Sequence, residues 1–158
     1  MRTWISSKTT LNWVGVILLL AFSAVSFAQD KERVDKVSNK NFGATVRAVE
    51  TTLQRNGFMV IATIDHQNML TMVGAKIKGA TTIEFGKAEM GKMLLPMAPE
   101  AGMEFPGRFY IWERSDGKTV VSYRKPSSGL GTYGNEMLTK MGRDMDGMWE
   151  MFASEATK

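Results

Sequence analysis

The sequence predicts one small α+β domain, and three observations predict it. The stretch Phe58-Met59-Val60-Ile61-Ala62-Thr63-Ile64-Asp65 is almost continuously apolar and rich in β-branched residues, which reads as a strand. It follows a segment whose apolar residues recur every three or four positions, which reads as a helix. Two further strand-like runs flank Ser115-Asp116-Gly117-Lys118, whose Asp-Gly centre tolerates the positive φ of a tight hairpin.

The chain has 158 residues, a length that fits a single domain. Residues 1 to 28 combine basic Arg2 and Lys8, an apolar run from Trp13 to Phe27 and small Ala28 before Gln29-Asp30. That is the pattern of a cleaved secretory leader, and the run falls short of the roughly twenty apolar residues that span a bilayer. The expectation is therefore a leader over 1–28 and one domain over 29–158, located in the periplasm or secreted, with no membrane span after cleavage. About 130 residues can bury roughly two-thirds of their unfolded surface, enough for a core without staples.

The chain has no cysteine, which excludes disulfides, thiolate metal sites and cysteine nucleophiles. Of 20 basic residues, Arg2 and Lys8 lie in the leader, which leaves 18 against 16 acidic ones, about +2. These positives are interleaved with acids rather than gathered in a stripe, so nucleic acid is not an expected partner.

Arg33-Val34-Asp35-Lys36-Val37 alternates charge with valine, as a strand at a sheet edge does. Phe42, Val46, Val49 and Leu53 set one apolar stripe on a helix, with Asn41 as its cap and Gly57 as its stop. The strand over 58–65 follows and reads as a central one. Strict alternation would put Val60, Ala62, Ile64 and His66 on one face. A short helical turn over 67–73, a strand over 81–85 and a short helix over 88–95, stopped by Pro96 and Pro99, come next. The hairpin strands are Arg108–Glu113 and Thr119–Arg124, and 126–134 reads as a Gly-rich loop. A last helix runs from Asn135 to about Ala153, weakened by Gly142 and Gly147 by about 1 kcal/mol each.

In this order, Asn56-Gly57-Phe58, Ile64-Asp65-His66, Phe85-Gly86 with Gly91, Phe105-Pro106, and Ser122-Tyr123 with Pro126 resemble the bacterial family called domain of unknown function 302. The resemblance covers Val34 to the end of the chain. It implies a curved antiparallel sheet with helices on one face, similar to the TATA-binding-protein fold. It also implies haem binding in some members, with the histidine of Ile-Asp-His, here His66, as axial ligand. Where relatives carry an Arg-His pair after the Pro126 position, this chain reads Thr132-Tyr133-Gly134, and Lys87-Ala88 follows Phe85-Gly86 in place of Asn-Pro.

His66 is the sole histidine. A neutral imidazole ligates haem iron or another metal, and Asp65 beside it is a candidate to fix its tautomer. Tyr133 is the candidate oxygen ligand, and Phe85 and Met69 are candidate pocket walls. A second protomer is an alternative source of the other axial ligand, which makes a homodimer an expectation.

Thirteen methionines are the compositional oddity. Met69-x-x-Met72, Met90-x-x-Met93 and Met148-x-x-Met151 set thioethers one helical turn apart, and soft sulfur selects Cu(I). Core packing is the preferred reading of the row Met137, Met141, Met145, Met148 and Phe152. No Gly-x-Ser-x-Gly is present, and Asp65, His66 and Ser127 or Ser128 make no recognisable triad. The expected function is a non-enzymatic binding domain with haem at His66. The alternatives are a Cu(I) protein and an interaction domain without cofactor.

Overall fold

The computed structural model describes residues 32–158, so the expected leader lies outside the described residues. Five strands form one open antiparallel sheet, and helices pack on one of its faces. The strands are β1 (Arg33–Val37), β2 (Met59–Asp65), β3 (Ala80–Gly86), β4 (Gly107–Glu113) and β5 (Thr119–Arg124), arranged β1-β5-β4-β3-β2. The helices are α1 (Phe42–Arg55), α2 (His66–Thr71), α3 (Ala88–Leu94), α4 (Pro126–Leu130) and α5 (Glu136–Thr157). Among the described residues no helix is long and apolar enough to cross a membrane.

Local chemistry sets most boundaries. The Asn41 side chain accepts from the Ala44 N–H at 2.9 Å to open α1, and Gly57 adopts φ 76° just beyond its end. In the β4–β5 hairpin Gly117 takes φ 82°, which a side chain would strain. Val49 and Leu53 of α1 meet Ile83, Phe85, Phe109, Ile111 and Val121 of the sheet, all fully buried. Burying such side chains stabilises the fold by about 1.5–3 kcal/mol each relative to exposure.

Several sequence expectations are revised. β1 is an edge strand as read, but β2 is the other edge rather than a central strand, with Met59 and Ile61 exposed. A β-bulge at Ile61 also breaks its alternation. Val60 pairs with core residue Phe85, whereas Ala62 and Ile64 pair with Glu84 and Thr82 on the open face. The segment 126–134 is not a loop: Pro126 opens α4, and Asp146 of α5 accepts both the Ser127 N–H (2.9 Å) and its hydroxyl (2.6 Å).

The final helix reaches Thr157, and its core stripe is Leu138, Met145, Trp149, Phe152 and Ala156. Of the methionine row only Met145 is buried in that stripe, because the sheet-facing side of α5 is rotated one position from the one the row suggests. Gly142 is where α5 touches α4: a Cβ there would stand 2.7 Å from the Ser127 Cα. A glycine that looks like a weak point in the sequence is thus a contact.

A hydrogen-bonded tie joins β1 and β5 to α5. The Tyr123 hydroxyl donates to Glu150 Oε2 at 2.9 Å, and Lys36 pairs with Glu150 Oε1. Burial, then the Glu150 carboxylate, raises the Tyr123 pKa, while the Lys36 ammonium and the Tyr123 hydroxyl hold the Glu150 carboxyl below its ordinary value.

The two interior glycines of α5 yield a paired test. Gly147→Ala has open space around its Cβ and should stabilise the domain by about 0.5–1 kcal/mol through helix propensity. Gly142→Ala has the same propensity gain but collides with backbone, and should destabilise by about 1–3 kcal/mol; urea unfolding of both variants reads the difference. The tie gives a pH test. A carboxyl with a lowered folded pKa adds stability that is full above its unfolded value and is lost as pH falls through the folded one. Acid melts below pH 4.5, the unperturbed Glu150 value, should lose stability, and Glu150→Gln should flatten that limb.

Candidate functional site

The β4–β5 ladder runs from Glu113↔Thr119 only to Tyr110↔Ser122. Beyond it, β4 stays with β3 to Phe85↔Gly107 and β5 stays with β1 to Arg33↔Arg124. The sheet therefore forks at this end. On the helix side Phe109 and Tyr123 face each other across the split, rings 5.4 Å apart and nearly perpendicular. A cleft of about 730 Å³ runs from the open face into the fork, and Leu130, Met145 and Trp149 close it from behind.

Its lining is mixed. Ile64 and Tyr110 supply apolar wall, and Arg33, Arg108, Arg124 and Lys125 bring positive charge against Glu32, Glu84 and Glu104. Arg33 is paired with Asp35 at 2.9 Å and Arg124 with Glu32 at 3.4 Å. Arg108, which is exposed, makes no ion pair among the described residues.

His66 lines this cleft. It is the first residue of α2, and the register that places Ile64, Thr82, Tyr110 and Ser122 in one row across the open face puts its ring above that row. Its Nε2 lies 2.7 Å from the Thr82 hydroxyl, and its ring meets Tyr110 edge-on at 5.9 Å. The tautomer partner is therefore Thr82 and not Asp65. Asp65 instead caps α2, accepting the Asn68 N–H at 2.9 Å.

The other sequence candidates do not join it. Phe85 is sealed on the helix face, stacked on Phe109 at 4.9 Å, so the sheet itself separates it from the imidazole. Met69 is exposed on α2 and does not line the cleft. Tyr133 stands behind the cleft, its hydroxyl donating to Glu104 Oε1 at 3.1 Å. Burial and the Glu104 carboxylate raise its pKa, which opposes the phenolate form that ligates iron. Ser127 is held by Asp146, and Ser128 donates to the Lys125 carbonyl at 2.6 Å, so neither meets His66. Among the described residues no three His, Asp or Glu side chains group as a metal site.

The sequence reading missed Thr82, Tyr110 and Arg108. Only the strand pairing brings them beside residues from β2 and β5, and no local spacing announces that.

A second cavity, of about 540 Å³, lies on the other flank of α5. Met90 and Met93 line it from α3, and Met137, Met141, Met145, Met148 and Met151 line it from α5, with Phe58 and Phe152 at the floor.

The model of the family described as domain of unknown function DUF302 matches residues 34–152. The chain belongs to the DUF302 family. This DUF302 domain is also similar to a crystal structure of an uncharacterized conserved DUF302 protein from Bacillus stearothermophilus. The TM-score is 0.75 at 15% identity, over 81% of this chain and 99% of that one. At that identity the likeness shows the fold. No curated protein matches the chain.

Proposed function

We propose that this DUF302 domain is an exported, non-enzymatic binding module that takes a flat anionic cofactor in the forked cleft, with haem held through His66. The observation that carries this reading is that the sole imidazole borders a cleft of about 730 Å³ rather than solid packing. That volume lies within the range of cofactor sites.

The cleft supplies one imidazole that would hold the iron, that of His66. A ligating histidine ordinarily donates its second ring N–H to a protein oxygen, which fixes the tautomer and raises the basicity of the other nitrogen. In the tautomer that carries its proton on Nε2, His66 would donate to the Thr82 hydroxyl and Nδ1 would be the ligating atom. Ile64 and Tyr110 offer flat apolar contact, and Arg108 offers a bidentate partner for a carboxylate. A further donor to the iron would come from a small ligand or a second protomer. The two-ligand arrangement with Tyr133 is not part of the proposal, since that hydroxyl is spent on Glu104.

Titrating the chain with haemin should give a saturable Soret shift. His66→Ala should abolish it, and Arg108→Ala should weaken binding by about tenfold, the loss of one charge-assisted contact. Identical spectra for wild type and His66→Ala would overturn the assignment.

A further inference from the structure

The groove on the far flank of α5 is lined with one kind of aliphatic side chain. Besides seven methionines its lining holds two phenylalanines, Asn56 and four charged residues, with no leucine, isoleucine or valine. The same chain closes its core with Leu53, Leu94, Leu130, Leu138, Ile83 and Ile111. Branched aliphatics and aromatics close most of that core, and Met90 and Met145 are its buried methionines.

Burial accounts for Met90 and Met145 but not for the most exposed of the seven. Met93 and Met137 are each 59% exposed and Met151 is 48% exposed. What methionine supplies and leucine lacks is a thioether sulfur, a soft neutral donor that favours Cu(I). Met90-x-x-Met93 and Met148-x-x-Met151, far apart in sequence, open into this single space.

We propose that the groove is a Cu(I) site, with thioether donors from both walls: Met93 on α3, and Met148 and Met151 on α5. The rim charges balance, Lys87 and Lys140 against Glu89 and Asp144. Lys140 is paired with Asp144 at 2.7 Å, Lys87 sits 5.8 Å over the Phe58 ring, and Glu89 contributes a negative charge. The site lies apart from His66, which lines the cleft on the opposite flank, and only Met145 borders both. Thioethers carry no proton to displace, so affinity should be flat from about pH 5 to 8, where histidine or carboxylate sites would weaken on acidification.

The test is anaerobic competition between the purified full chain and bicinchoninate-bound Cu(I). The wild type should withdraw about one equivalent, and Met93→Leu and the double variant Met148→Leu/Met151→Leu should each lose at least about tenfold in affinity. Met103→Leu, exposed and outside the groove, and His66→Ala should match the wild type, which separates this site from the haem proposal. Circular dichroism melts of the leucine variants check that they fold. A wild type that leaves all copper with the chelator, or groove variants that bind as tightly as wild type, would overturn the proposal.

Discussion

The seating of Trp149 against the sheet at Gly107 is the contact on which the rest of the structure depends. A Cβ at Gly107 would lie 2.7 Å from the indole and 3.2 Å from Phe85, so only glycine lets α5 approach this closely. The indole then packs with Phe85 at 4.9 Å, Phe58 at 5.8 Å and Phe152 at 6.1 Å, which fixes α5 in translation and in rotation. Aromatic pairs of this kind contribute about 0.5–1.5 kcal/mol each beyond area burial.

With that rotation set, both cavities follow. One flank of α5 presents Met145 and Trp149 to the fork, and the other presents Met141, Met148 and Met151 to α3. The two spaces differ in chemistry. The cleft lining holds an imidazole with four basic and three acidic side chains, while the groove lining holds seven thioethers. The haem and Cu(I) proposals thus draw on different chemistry in different spaces.

The fold was largely legible because it is written in local chemistry. The Asn41 cap, the Gly57 stop, the Asp116-Gly117 hairpin and the stripe from Phe42 to Leu53 each specify an element over a few residues. What stayed hidden depends on contacts between distant segments. The α4 turn is stabilised by Asp146, nineteen residues away. The true core side of α5 is marked by Leu138, Trp149 and Ala156, and the more conspicuous methionine row masks it. Phe85 looked like a pocket wall because it is a large apolar residue, but the side of the sheet it occupies is set by pairing partners. His66 was legible as a candidate because it is alone, whereas its partner Thr82 was not, being sixteen residues away on the neighbouring strand.

The bulge at Ile61 decides which side of the sheet the histidine sees. Val60 opposes Phe85 and faces the helices, and unbroken alternation would send Ala62 and Ile64 to the same side. The extra residue shifts the phase by one, so Ile64 faces outward opposite Thr82, and the chain enters α2 with the imidazole over the open face. Val60, Ile61, Ala62 and Ile64 are all apolar, so hydrophobicity does not distinguish the two phases. The distinction lies in β2 being an edge strand, free to bend away from β3 because no strand holds it on the other side. The same edge position that leaves Ile61 exposed thus carries His66 to the cleft.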